Sequence, residues 1–381
     1  MAGVILFGDT AHSAALRHEV PLDIIDPLLF AEHEGRRFVV TSALERDRVR
    51  RACPDVELLD FAALGYRDLV RDGMPLPEAE REVALRALWE IGMDEAVVPS
   101  DFPLGLAERL RAAGVVLRID DDTVALRRRA KSEIELDGIR AAQRAAEAAM
   151  AAARELFSRA TPIGDGRLAI EGKPLLAEDV RAQMRSVCAE GGAILPPDVI
   201  IASVWQGYGH EPGAGPLPAG LPIEVDIWPR HDASGCWTDM TRTFVVGSSA
   251  PELAAAIEER TSAVSRAFET AKSAIRPGAT GRELFDRACD VFESAGYLTQ
   301  RTATNDDETE GFQFSLGHGV GLEVHEPPLL GLAGGDPLIA GDVLAIEPGL
   351  WDSQLGGVRF EDLVLVTEDG CETLTRFPYD L

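Results

Sequence analysis

His325-Glu326-Pro327, continued by Pro337-Leu338-Ile339-Ala340-Gly341 and an apolar run ending in Ile346-Glu347, decides how the chain is read, because the pattern occurs twice. The earlier copy is His210-Glu211-Pro212, then Pro216-Leu217-Pro218-Ala219-Gly220, then an apolar run ending in Val225-Asp226. In each copy an acid stands ten residues after the proline that opens the Pro-Leu-x-Ala-Gly block. Amphipathic helices over 179–192 and 283–296 precede the two copies, and each ends at glycine, a usual helix stop. Two related halves are expected.

Each of those acids is followed by another. Asp239 lies 13 residues after Asp226, and Glu361 lies 14 after Glu347. Both begin apolar stretches, 243–246 and 363–366, so each pair can occupy neighbouring strands joined by a hairpin or short excursion. Asp226 and Glu347 sit at the ends of strongly apolar strands, where an unpaired carboxylate costs several kcal/mol and neutralises instead. Few bases lie nearby in sequence, so a cation is implied. Four carboxylates match two divalent ions in charge. Hard oxygen ligands with a single imidazole suit manganese, and also cobalt, iron or zinc. The imidazole candidate is His318, within Gly317-His318-Gly319-Val320-Gly321, where the glycines let the backbone turn tightly.

Working outward, residues 1 to about 125 alternate short apolar runs with helical stretches. Strands are expected at 4–7, 38–41, 56–59, 96–98 and 115–119, and a helix over 78–91. This is a small α/β domain, 1–126. The basic run Arg127-Arg128-Arg129-Ala130-Lys131 reads as a solvated connector. Ser132-Glu133-Ile134-Glu135 then has the spacing of a capping box and should open a long helix to about Phe157, the start of a second domain, 132–381.

The whole chain has 381 residues, 46% hydrophobic and 27% charged, enough for two domains with their own cores. Lysine and arginine total 37 against 64 acids, for a net charge of -27. A field of that sign repels nucleic-acid phosphates and anionic lipid, so neither is expected as a partner. No apolar run reaches the roughly 20 residues of a membrane span, and the start MAGVILFGDT has no basic region, which points to a cytoplasmic protein. Cys53, Cys188, Cys236, Cys289 and Cys371 are odd in number and form no CxxC pair, so they read as reduced packing residues. Walker, GxSxG and HExxH motifs are absent.

Five ordered segments carry a family resemblance: Val225-Asp226-Ile227, Thr238-Asp239-Met240-Thr241-Arg242-Thr243-Phe244, Gly317-His318-Gly319-Val320-Gly321-Leu322-Glu323-Val324-His325-Glu326-Pro327-Pro328, Ala345-Ile346-Glu347-Pro348-Gly349-Leu350, and Arg359-Phe360-Glu361-Asp362-Leu363-Val364-Leu365-Val366-Thr367. In this order they resemble the pita-bread metallopeptidases: aminopeptidase P, prolidase and, more distantly, methionine aminopeptidase. The resemblance covers essentially the whole chain. It implies a creatinase-like α/β amino-terminal domain and an α+β pita-bread catalytic domain of the creatinase/aminopeptidase kind with pseudo-two-fold symmetry.

By motif, the resemblance implies Asp226 as a ligand of one metal, Asp239 and Glu361 as bridges, and His318 and Glu347 as ligands of the other. His210 and His325 match outer histidines that contact the substrate and the tetrahedral intermediate. Glu347 is the candidate to relay a proton to the leaving nitrogen, and Arg359 to orient a bridging carboxylate, with Thr241 also beside the ligands. His12, His18, His33 and His231 match nothing and read as surface residues. Two departures stand out. The 13-residue spacing from Asp226 to Asp239 is two longer than the family's usual eleven, so the loop 228–234 is about two residues long for the family and could reshape the pocket. Phe314 replaces the histidine that proline-specific members usually carry four residues before the metal-binding one.

The resemblance implies a homodimeric dimetal exopeptidase on small peptides, of the Xaa-Pro aminopeptidase or Xaa-Pro dipeptidase type, attacking the amide carbonyl with a water activated between the ions. A dimetal hydrolase or lyase on a small non-peptide substrate such as a cyclic amide, and a binding protein with a fossil site, are the competing readings. Retention of all five ligand types disfavours the last of these.

Overall fold

Continuously buried apolar runs in the amino-terminal part build one six-stranded sheet. The computed structural model describes residues 3–204, 211–304 and 309–379, and the chain divides into two units, Met1–Arg128 and Arg129–Leu381. In the first unit the spatial strand order is Glu57–Asp60, Arg36–Thr41, Leu28–His33, Gly3–Gly8, Glu95–Val98 and Val116–Ile119. Leu28–His33 is the strand that the sequence reading omits. It pairs antiparallel with both neighbours, and Glu34-Gly35, each at positive φ, make the tight turn into Arg36–Thr41. Ile5, Leu29 and Val40 face the cluster that holds the helix Leu76–Ile91, while Val4, Leu6 and Phe30 face a second cluster. A sheet covered on both faces reads as continuous apolar runs, which hides its strand limits.

The second unit repeats one plan. A long helix, a shorter helix and antiparallel strands occur as Glu133–Arg159, Ala177–Glu190 and the sheet Ile200–Ala202, Pro222–Ile227, Met240–Val245. They recur as Pro251–Lys272, Gly281–Ser294 and a five-stranded sheet ordered Glu326–Leu330, Gly317–Gly319, Val343–Ile346, Asp362–Val366, Cys371–Thr373. The capping box at Ser132 and Glu135 forms with both of its bonds. The two shorter helices start two residues earlier than the sequence suggests. Glu283 accepts from the Thr280 amide, and Asp179 from the Leu176 amide, so these acids lie within the first turn. Pro216 and Pro337 bridge to Leu176 and Thr280, the residues just ahead of those helices, and Leu217 and Leu338 are buried. The repeated Pro-Leu block therefore ties helix start to sheet in both halves.

Strand alternation sends one face of each sheet to its helices. Ile223, Val225 and Ile227 enter one core with Met150 and Met184; Leu344, Ile346, Phe360 and Val364 enter the other with Phe268, Phe285 and Phe292. The opposite face carries Glu224, Asp226 and Thr241 in the first half. Cross-links then join the halves: the Glu361 amide donates to Thr241 O (3.2 Å), and Arg359 and Thr243 exchange two hydrogen bonds of 3.0 Å.

The basic run is not a solvated connector. Arg127 pairs with Glu19 and Glu32 in the first unit. Arg129 makes a two-pronged pair with Asp342 (3.0 and 2.6 Å), and the Lys131 ammonium meets Glu326. Arginine and lysine can bury their stems and heads wherever carboxylates await them, which a charge count along the sequence does not show.

Phe312 is fully buried, with ring centroids 5.5, 5.2 and 5.0 Å from Phe285, Phe292 and Phe314. Phe312→Ala is expected to lower the stability of this unit by about 3–5 kcal/mol, read from the midpoint of chemical denaturation, since the emptied site is ringed by side chains that cannot collapse into it.

Candidate metal centre

The inner-face acids converge where the halves meet. Asp226 is the penultimate residue of Pro222–Ile227, and its neighbour across the antiparallel pair is Thr241 in Met240–Val245. Asp239 directly precedes that strand. Glu347 directly follows Val343–Ile346, which pairs with Asp362–Val366, the strand that Glu361 precedes. Both acid pairs thus lie on adjacent antiparallel strands, as the apolar stretches imply.

His318 comes from Gly317–Gly319, a strand inside the five-stranded sheet rather than a turn. Its glycines serve close approach. A Cβ on Gly317 would lie 1.9 Å from Ala345 O, and one on Gly319 2.4 Å from Pro327 O. His318 Nδ1 is 3.0 Å from the Gly319 carbonyl oxygen, which places the proton on Nδ1 and leaves Nε2 facing Glu347 Oε1 (3.4 Å) and Asp239 Oδ2 (3.7 Å). Burial, then neighbouring His325, pushes its pKa down to about 3, so the ring is neutral and can donate its lone pair.

Ligand atoms of Asp226, Asp239 and Glu361 lie within 4.8 Å of one another, as do those of His318, Glu347 and Glu361 and those of Asp239, His318 and His325. Glu361 belongs to two of these triads. Its Oε2 accepts from Thr241 Oγ1 at 2.7 Å. The exposed His325 ring stands edge-on to His318, centroids 4.1 Å apart. The cavity here is about 320 Å³ and is lined by these four acids and the His318 imidazole together with His325, Arg359, Trp228, Val324 and Asp198.

Arg359 departs from its expected task. Its guanidinium ion-pairs with Asp226, with Glu224 at 2.9 Å and with Glu347 at 3.2 Å, and it is Thr241 that holds the bridging candidate Glu361. Arg359 and Glu361 share a face two residues apart, and a long side chain there reaches sideways across strands more readily than along its own. Glu224 is the residue that the sequence reading misses. It sits two positions before Asp226 on the same face, and period-two alternation from Asp226 was the signal. Asp198 was also missed, and it belongs to no motif.

Phe314 stacks edge-on with Trp351 (5.0 Å) and lies under the Arg359 guanidinium (5.8 Å), outside the residues that line the cavity. Of the lengthened loop only Trp228 reaches the cavity. The remainder folds as a turn, with the His231 amide bonded to Cys236 O and Gly235 to His231 O, and with Ser234 beside Gly138 of the long helix. His12 is exposed, whereas His18, His33 and His231 are half-buried rather than surface groups, and none lines the cavity. His210 lies outside the described residues.

These residues fit divalent cations. Asp226 Oδ1 is buried without a hydrogen-bond partner. Burial, and secondarily the neighbouring carboxylates, raises Asp239 and Glu361 well above the ordinary carboxylate range. Burial raises Glu347 to about 7 against the opposing pull of Arg359. One guanidinium does not offset this concentration of negative charge.

Residues 137–368 match the model of metallopeptidase family M24. The chain is 31% identical over 295 residues to the Xaa-Pro dipeptidase of Pyrococcus horikoshii, covering 76% of this chain and 75% of that protein. It is 35% identical over 214 residues to the Xaa-Pro dipeptidase of Pyrococcus furiosus, covering 53% and 54%. Among solved structures it resembles the Xaa-Pro dipeptidase from Bacillus anthracis with a TM-score of 0.77, 22% identity and coverage of 100% and 94%, which shows a common fold.

The raised carboxylates have a signed consequence. Below the ordinary carboxylate range both states are protonated; as pH rises through it the unfolded chain ionises freely while the folded cluster resists, so the metal-free protein loses stability up to and beyond about pH 7. Divalent metal should restore it. The rise in Tm on adding manganese is expected to be clearly larger at about pH 8 than at about pH 5.5, where protons compete for the ligands. Differential scanning calorimetry at the two pH values checks this.

Proposed function

The chain belongs to metallopeptidase family M24, and from that premise we propose that it is a dimetal exopeptidase that releases an amino-terminal residue ahead of proline or splits Xaa-Pro dipeptides. The observation that carries this is the gathering of Asp226, Asp239, His318, Glu347 and Glu361 at one cavity with His325 at its edge. The names of the two Pyrococcus relatives support the substrate class.

Asp226 would hold one ion, His318 and Glu347 the other, with Asp239 and Glu361 shared. Carboxylate-rich donors with one imidazole favour manganese, with cobalt, zinc or iron as alternatives. Bound ions would supply Lewis acidity toward the amide carbonyl and toward the attacking water. Glu347 keeps 14% of its side chain exposed at the cavity, so it can take a proton from the water and return it to the leaving nitrogen. His325 is placed to donate to the carbonyl oxygen as negative charge develops there. Arg359 holds Asp226 and Glu347 in register, and Thr241 holds Glu361. On the same reading residues 1–126 are the creatinase-like domain, His210 contacts substrate, and the protein is a cytoplasmic homodimer.

Manganese-reconstituted protein should bind two ions per chain by elemental analysis and hydrolyse Xaa-Pro peptides faster than matched Xaa-Ala peptides. Asp239→Asn and Glu361→Gln should each lower kcat by at least about 100-fold, because a neutral amide is a poor bridge. Fewer than one ion per chain, or near-normal turnover in either variant with its metal content confirmed, would sink the assignment.

His325→Ala should lower kcat more than it raises KM and leave the metal content unchanged, since a donor aimed at developing charge acts mainly in the transition state. Loss of metal in that variant would instead make His325 a ligand.

A further inference from the structure

His325 projects from the short loop between Gly317–Gly319 and Glu326–Leu330, and something must hold that loop in one shape. The next residue, Glu326, turns inward. Its Oε1 meets the Lys131 ammonium, both side chains being only 2% exposed, and its Oε2 lies 3.4 Å from the Glu323 amide. Gly321 leaves room for this carboxylate: a Cβ there would stand 2.6 Å from Glu326 Oε1. The Trp237 amide donates to Gly321 O at 2.8 Å, which ties the other end of the loop to the segment leading into Asp239.

The partner of Glu326 is itself anchored. Two residues before Lys131, Arg129 donates to Asp342 and to Pro337 O (2.9 Å), and the Lys131 amide lies 3.3 Å from Gly341 O. Residues 129–131 therefore form a strap that grips the loop ahead of the Glu347 strand and presents an ammonium to the base of the His325 loop. Lysine occurs at only three positions, 131, 173 and 272, in a chain that otherwise uses arginine, and this one fills a site closed on all sides.

We propose that Lys131 is a positioning residue for His325, acting through Glu326. The proposal rests on the reading of His325 as the donor to the reacting carbonyl. A buried carboxylate deprived of its counter-charge must move toward water or take up a proton, and either change shifts the adjoining backbone. Misplacing a catalytic group by about 1 Å can cost on the order of 100-fold in rate.

The test is a double-mutant cycle on the manganese-loaded full-length protein, using Lys131→Met, His325→Ala and their combination. Lys131→Met should lower kcat about 10- to 100-fold with KM within about threefold and metal content unchanged. In the His325→Ala background the same substitution should cost no more than about twofold. A full loss in that background, or a wild-type kcat for Lys131→Met alone, overturns the proposal. Lys131→Met/Glu326→Gln removes both charges and with them the unpaired carboxylate; it should recover most of the kinetic loss, and a loss as large as that of Lys131→Met alone overturns the proposal. One readout needs no substrate, so it separates this proposal from the peptidase reading. In zinc-loaded protein, which is diamagnetic, the imidazole resonances of His325, assigned with His325→Ala, should shift in Lys131→Met while those of His231 stay in place, and unmoved His325 resonances also overturn the proposal.

Discussion

Mutual repulsion among buried carboxylates is the constraint around which the catalytic unit is built. Asp226, Asp239, Glu347 and Glu361 share one small space, with Glu224 behind them, and the only guanidinium shown to reach them among the described residues is that of Arg359. Such a cluster is costly in a low-dielectric interior and would relax into solvent if its supports could move. They cannot readily do so. Each acid leaves from the end of a strand whose other face is packed in an apolar core, so displacing a carboxylate means disturbing that core. Stability stored in packing holds the acids in an arrangement that becomes favourable once cations bind.

The two halves depend on each other for the same reason. Asp226 and Asp239 come from the first half and His318, Glu347 and Glu361 from the second, so neither half alone offers a complete set. The joint is made by backbone groups and short hydroxyls, with Thr241 and Thr243 against Glu361 and Arg359. Arg242 reinforces it from the far side of its strand, donating to Glu361 O and pairing with Asp362. Threonine suits this joint because it favours strands and carries a hydroxyl short enough to bond the adjoining strand.

Catalytic and structural charge are also separated in this chain. The centre uses acids and one neutral imidazole, whereas the buried pairs of Arg129 with Asp342 and Lys131 with Glu326 lie beneath the loops that carry the centre. None of the five cysteines is in a disulfide, and no helix among the described residues is long and apolar enough to cross a membrane. Loop shape in the second unit therefore rests on packing, on hydrogen bonds and on these ion pairs.

The repeated Pro-Leu-x-Ala-Gly blocks, the acid spacings and the capping box at Ser132 were legible because each is a local pattern with a local physical cause: a bridge to a helix start, a strand alternation, a satisfied amide. From these the sequence by itself determined two related halves, the antiparallel pairing of each acid-bearing strand and the ligand candidates. Tertiary structure decided the rest. Glu224 and Arg359 are far apart in the chain, and nothing along it says that one guanidinium serves Glu224, Asp226 and Glu347 together. Phe314 stands in sequence where proline-specific relatives usually carry a histidine, yet it packs behind Arg359 because Phe312 and Trp351 hold its ring there. The basic run looked solvated because its counter-charges are supplied by residues as remote as Glu19, Glu326 and Asp342. Periodicity reports which way a side chain faces, but the partner it meets depends on which strands and loops pack opposite, and that is set by burial of the whole core.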